Sequence, residues 1–189
     1  MYNGKDVIHE TIESVYNQSI KIDEIIVVDD CSTDGSVDYV SAVFPEVRIH
    51  STETNSGPGA ARNLGARIAT NELVLFMDHD ISLEEKSVEE LIRASNEHIK
   101  CNVFVPLVVY QDKPDTIQGA GTRVHYLGIS VLSEYHGLSR SALKKNIPVI
   151  AFGGGCYLEV RSRMTKFAFY DEEFFYTFED TDYAVSQLR

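Results

Sequence analysis

Leu73-Val74-Leu75-Phe76-Met77-Asp78-His79-Asp80 is the stretch on which the reading of this chain turns. Five apolar residues end in two carboxylates one residue apart, and Ile81 and Ser82 follow. A run this short and this apolar reads as a buried strand. Residues two apart on a strand share a side, so Asp78 and Asp80 can face one divalent cation while His79 points away. Desolvating a carboxylate costs several kcal/mol, so two acids at a buried strand end need either a cation or solvent. Taken alone, the stretch is consistent with a metal site and with a solvated acidic turn.

Working outward, strand and helix patterns alternate. Before the stretch, Ala60 to Ala69 reads as a helix with Pro58 near its first turn, where proline is tolerated. Val47 to His50 reads as a short strand, and a helix is expected from Ser36 to about Phe44. Glu24-Ile25-Ile26-Val27-Val28 is a β-branched strand, preceded by an amphipathic helix across Asp6 to Ser19. After the stretch come a charged helix from Leu83 to His98 and a strand from Val103 to Tyr110. A less regular segment, Asp112 to Asn146, separates these from strands at Pro148–Phe152 and Tyr157–Val160, broken by Gly153-Gly154-Gly155. That glycine run allows either a close backbone approach or a simple strand break. A last helix is expected before Arg189. This order predicts an α/β domain with a mixed, mainly parallel sheet flanked by helices.

The composition narrows the partners. A net charge of -12 over 189 residues argues against a nucleic-acid partner, which wants a basic face. It makes a cation more plausible as the bridge to an anionic substrate. Cys31, Cys101 and Cys156 are far apart, odd in number and without metal-ligand spacing. They read as reduced thiols in or near the core of a cytoplasmic protein. No apolar run has the length of a transmembrane segment, which leaves peripheral contact with the inner membrane face open.

A second apolar strand also ends in acids, Asp29 and Asp30. In open α/β sheets ligands bind beyond the carboxyl ends of the strands. Neighbouring residues face opposite sides, so one of the pair is expected at the ligand and the other in the turn with Ser32 and Thr33. Asp30 is taken as the functional one. Near the end of the chain Glu179 and Asp180 lie in an aromatic setting of Phe174, Phe175, Tyr176 and Phe178, of which at least half are expected in the core. Acids there also suit a helix N-terminus.

Four segments, in order, resemble the inverting family 2 glycosyltransferases. They are Tyr2-Asn3-Gly4 with Ile25 to Ser36; Asn55-Ser56-Gly57 with Ala61-Arg62-Asn63 and Gly65; Asp78-His79-Asp80 as a DxD motif; and Tyr170 to Asp182, similar to the late acidic motif of the rhamnosyltransferase-like branch. The resemblance implies a GT-A fold, a nucleotide-diphosphate sugar donor (UDP- or dTDP-linked), Mn2+ or Mg2+, and a glycan, polysaccharide or lipid-linked acceptor. It implies that Asp30 bonds the donor's base with Arg62 nearby, and that Asp78 touches ribose or metal. Asp80 would hold the metal, Asp180 would act as catalytic base, and Glu179 would assist at the acceptor.

The sequence departs from that pattern at both ends. The family's first strand, which precedes the Tyr-Asn pair, is missing before Tyr2, and members often carry arginine where Ser186 stands and continue past Arg189. The expectation is therefore a single catalytic domain over residues 1–189, truncated at both ends, with a nucleotide half at 1–80 and an acceptor half at 81–189. Two rival readings remain on the residues: a non-catalytic nucleotide-binding or assembly module, and a haloacid dehalogenase-type phosphatase. The second also uses Asp-x-Asp, but near its start and with a different continuation from Ile81-Ser82.

Overall fold

Ile26–Asp29 (β1) and Arg48–Ser51 (β2) pair in parallel, with Val27 opposite Ile49 and Asp29 opposite Ser51. The computed structural model describes residues 1–124, 130–149, 151–164 and 170–187. Two helices, Ile8–Tyr16 (α1) and Ser36–Val43 (α2), cover this pair. Ile8 and Ile12 lie one turn apart on α1 and meet Val27, Val40 and Val47 in a buried cluster. Gly57–Ile68 (α3) carries Pro58 in its first turn, and its buried Gly59, Ala60, Ala61 and Ala66 let it pack closely.

The second sheet has the order β3-β9-β4: Leu73–Met77 (β3), Cys156–Val160 (β9) and Val103–Phe104 (β4). Leu75 faces Leu158, Val103 faces Glu159, and both pairings are antiparallel. Ser87–Glu97 (α4) buries Val88 and Leu91, and Leu91 packs with Phe104, Leu158 and Val160. The expected mixed sheet with flanking helices is present, with a smaller parallel share than expected. Among the described ladders only β1 with β2 is parallel, because β9 enters between β3 and β4 and opposes both. An apolar run has the same pattern in either direction, so its sequence carries no sign of this.

The expected strand from Val103 to Tyr110 is split around Pro106, which has no N–H to give a ladder. Val108–Tyr110 (β5) turns back on Lys113–Gly119 (β6), and Thr122–Val124 (β7) pairs with Ser130–Leu132 (β8). The segment expected to be irregular therefore contains two antiparallel ladders and a short 3-10 turn at Arg140–Ala142. Of the strand expected at Pro148–Phe152, only Ala151 bridges, to Thr122, and residue 150 lies outside the described residues. The last helix is Glu179–Ser186 (α5).

Among the described residues no ladder joins β1 to β3. A cleft of about 1350 Å³ runs between them, lined by Ile26 and Val28 on one side and by Leu73, Leu75 and Met77 on the other. At its edge the Met1 amine donates to the Val28 carbonyl at 2.6 Å, and the Asp30 N–H donates to the Met1 carbonyl at 2.8 Å. No described helix is long and apolar enough to cross a membrane.

Candidate active site

The cleft opens at the carboxyl ends of β1 and β3, where Asp30, Asp78 and Asp80 line it together with Arg62, Glu179 and Asp180. All six of the residues singled out from the sequence are brought to one cavity. Asp30 is 4% exposed and serves the start of α3: its Oδ1 accepts from Thr52 Oγ1 at 2.7 Å and from Ser56 N at 2.9 Å. Its Oδ2 accepts from Gly57 N at 2.8 Å. Helix N-termini leave N–H groups without intrahelical partners, and Asp30 supplies partners here from another strand. A carboxylate has about four lone-pair directions, so one on Oδ2 stays open. Asp29 is equally buried, with Oδ2 accepting from Ser32 N at 3.1 Å, as expected of the turn residue.

Arg62 is the centre of the site. Its Nη2 donates to Asp78 Oδ1 at 2.6 Å and to the Gly154 carbonyl at 2.9 Å. Its Nη1 lies 3.6 Å from Glu179 Oε1, and its guanidinium sits 5.5 Å above the ring of Tyr170. The absence of a side chain at Gly154 allows this approach, since a Cβ would stand 2.8 Å from the guanidinium. The other side of the same residue turns to the candidate base: Gly154 N donates to Asp180 Oδ2 at 3.1 Å. Asp180 Oδ1 accepts from Thr181 N at 2.6 Å and Thr181 Oγ1 at 3.3 Å. Oδ2 therefore keeps one lone pair open. The glycine run thus makes a close approach, with a protein side chain as the group approached.

Glu179 and Asp180 open α5, where the helix dipole favours anions. Glu179 is 7% exposed and faces Arg62. Burial pushes the Asp78 carboxyl above its ordinary range, against the pull of Arg62. The neighbouring Cys156 thiol is pushed up to about 12 by its own burial, which makes it inert as a nucleophile. Of the other two cysteines expected near the core, Cys31 is partly buried and Cys101 is exposed.

Asp80 is exposed, with no hydrogen bond or ion pair among the described residues. β3 ends at Met77, so Asp78, His79 and Asp80 lie in the turn after it; His79 also lines the cleft and packs on Gly4, whose Cβ would stand 2.4 Å from the ring. No described cluster of three or more His, Cys, Asp or Glu could hold a metal by itself. Two carboxylates, one of them free, do suit a cation shared with a diphosphate, since Mg2+ is commonly held by one or two carboxylates plus substrate phosphates.

The turn before α5 is fastened to α3 by a residue to which the sequence assigned no role. Asn63 is 4% exposed; its Oδ1 accepts from Tyr170 N at 2.8 Å, and its Nδ2 donates to Tyr170 O at 2.9 Å and Glu172 Oε1 at 2.8 Å. The available signal was an amide among the small residues that α3 buries, since a buried amide needs partners. Further along, the Phe175 carbonyl rests where a Cβ on Gly57 would come within 2.0 Å, and Gly57 has φ +86°. Thr177 and Phe178 both have φ +73°, a left-handed conformation that costs about 1–2 kcal/mol per non-glycine residue. The expectation that half of Phe174, Phe175, Tyr176 and Phe178 are core is corrected: all four are exposed. The aromatic core beneath the site is instead Tyr157, Tyr170, Tyr183 and Phe152, with Tyr170 stacked on Tyr183 at 4.3 Å.

Comparison with known proteins identifies the family and the fold. TuaG of Bacillus subtilis, a putative teichuronic acid biosynthesis glycosyltransferase, is 39% identical over 92 residues, which is 47% of this chain and 36% of TuaG. The poly(ribitol-phosphate) beta-N-acetylglucosaminyltransferase TarS of Staphylococcus aureus is 33% identical over 102 residues, 51% of this chain and 18% of TarS. The chain thus spans only about a third of the length of TuaG and less of TarS. The crystal structure of TarS 1-349 in complex with UDP superposes with a TM-score of 0.65 at 22% identity, covering 97% of this chain and 52% of that one. GalNAc-T7 with UDP, GalNAc and Mn2+ gives 0.71 at 17% identity, covering 94% and 36%. At these identities the structural likeness is one of fold, the GT-A fold of glycosyltransferases. Residues 1–159 match the family described as glycosyl transferase family 2, and the chain belongs to that family.

Proposed function

We propose that this chain is the catalytic domain of an inverting glycosyltransferase of the rhamnosyltransferase-like branch. It moves a sugar from a UDP- or dTDP-sugar to a hydroxyl of a glycan, polysaccharide or lipid-linked acceptor. The cytoplasm is its place of work, at the inner membrane face where the acceptor is lipid-linked. Residues 1–80 hold the nucleotide and residues 81–189 the acceptor. The observation that carries this reading is the unbroken connection Asp78–Arg62–Gly154–Asp180, which joins a DxD carboxylate to a carboxylate with one free lone pair on the wall of one cleft. Proteins of the same fold crystallised with UDP, and in one case Mn2+, support the donor and the metal.

In this reading Asp180 Oδ2 takes the proton of the acceptor hydroxyl as its oxygen bonds to the anomeric carbon. The bond from that carbon to the diphosphate oxygen breaks, and its electron pair leaves with the nucleoside diphosphate. General-base assistance of this kind is typically worth about 10²–10⁴-fold. A Mn2+ or Mg2+ held by Asp80 and Asp78 would neutralise the charge developing on the leaving group. Asp30 offers its open lone pair to a base N–H. Arg62 fixes Asp78 on the donor side and Glu179 beside the base. Calorimetry with UDP, with and without Mn2+, tests the assignment. Binding should require the metal and be lost in Asp80→Ala; metal-independent binding that survives the substitution overturns the donor site and favours a non-catalytic nucleotide module.

A further inference from the structure

Three aromatic rings stand at the mouth of the cleft beside the candidate base. Phe175 is 56% exposed, Tyr176 75% and Phe178 49%, and all three line the cleft together with Asp180. Exposed apolar side chains gathered at a cleft, rather than scattered singly, mark binding surfaces. These rings are also held in place. Asn63 fastens the start of their turn at Tyr170 and Glu172, the Phe175 carbonyl is seated on Gly57, and α5 begins directly after Phe178. The left-handed backbone at Thr177 and Phe178 is a costly arrangement of the kind retained at ligand clamps.

We propose that Phe175, Tyr176 and Phe178 form an acceptor subsite that stacks on the C–H face of an uncharged pyranose ring. This rests on the glycosyltransferase reading and narrows its acceptor class. A pyranose presents a flat apolar face with hydroxyls around its edge, so a ring stacked here can turn a hydroxyl towards Asp180, which stands two residues after Phe178. The charge nearby selects against anions. Asp171, Glu172 and Glu173 are exposed just before the rings, and the chain carries a net charge of -12. A polyol phosphate offers no ring to stack and would be repelled.

The test is saturation-transfer NMR on the whole chain with cellobiose, lactose, chitobiose, ribitol 5-phosphate and UDP as separate probes. At least one of the neutral disaccharides should receive saturation at its ring C–H protons. The double substitution Tyr176→Ala with Phe178→Ala should weaken that binding by about tenfold while the UDP affinity measured with Mn2+ stays within about twofold. Tyr176→Leu, which keeps apolar area without a flat face, should behave like the alanine change. The proposal is overturned if no disaccharide contacts the protein, or if ribitol 5-phosphate binds more tightly than all three. It is also overturned if UDP affinity falls by the same factor as disaccharide affinity, which would put the rings on the nucleobase. Failure of the glycosyltransferase reading looks different: the unaltered chain would not bind UDP with Mn2+ at all.

Discussion

The backbone N–H of Gly154 donates to Asp180 Oδ2 at 3.1 Å while the carbonyl of the same glycine accepts from Arg62 Nη2 at 2.9 Å. One residue thus couples the candidate base to the arginine that holds Asp78. A Cβ there would stand 2.8 Å from the guanidinium, so any larger residue requires Arg62 to shift.

Gly154→Ala should therefore damage transfer more than folding. A methyl 2.8 Å from Arg62 Nη2 forces the guanidinium aside and breaks its bond to Gly154. Overpacking of this kind costs roughly 1–3 kcal/mol. Urea denaturation should show that loss, and steady-state assays should show kcat reduced by about tenfold or more, since misplacement of a catalytic group by 1 Å can cost up to about 10². A variant with normal kcat would separate Gly154 from the base.

Arg62→Met should destabilise the protein by about 2–4 kcal/mol, because it leaves the buried Glu179 and the partly exposed Asp78 without their cation. The lower part of that range allows for solvent screening at Asp78, whose side chain is 42% exposed. Thermal or chemical denaturation checks it. A change within about 0.5 kcal/mol, ordinary for surface sites, would show that the arginine is not the structural centre of the site.

Metal-dependent donor binding should weaken on acidification at a higher pH than an ordinary aspartate would dictate. Burial raises the pKa of Asp78, so this carboxylate takes up a proton early, and a protonated carboxyl is a poor ligand. The stability trend has the opposite sign. A carboxyl whose folded pKa lies above its unfolded value contributes stability that is fully present below the unfolded pKa and is lost as pH rises through the folded one. Calorimetry of UDP with Mn2+ between about pH 4 and 7, the range above the ordinary aspartate value, resolves the binding arm. Asp78→Asn should flatten this pH dependence and weaken the metal-dependent binding at every pH in the range.

Asn63→Leu should cost about 2–3 kcal/mol, because it strips buried partners from both the N–H and the carbonyl of Tyr170. Hydrogen exchange at Tyr170 and the residues after it should speed up more than exchange in β1 and β3. Uniform acceleration would mean that Asn63 supports the whole domain and not the aromatic turn.

Much of this arrangement was legible in the residues. The strand Leu73–Met77 has the bounds its apolar run implies, and Asp30, Arg62, Asp78, Asp80, Glu179 and Asp180 do meet in one cleft. The direction of β9 was not legible, because strand pairing between residues 73 and 160 depends on chain topology and leaves no local mark. The exposure of Phe175, Tyr176 and Phe178 was hidden for a related reason. Rings in an aromatic cluster look like core, and nothing in the residues announces the left-handed backbone at Thr177 and Phe178, which lack glycine. Nor could the sequence show that Asp30 caps α3, since its donors lie 22 to 27 residues away.

The most direct test of the whole account is Asp180→Asn, assayed for transfer under single-turnover conditions and for UDP affinity with Mn2+. The substitution keeps the shape and removes the basic oxygen that Gly154 positions. Transfer should fall by about 10²-fold or more with UDP affinity unchanged. Undiminished transfer at unchanged affinity would contradict the assignment of Asp180 as the base.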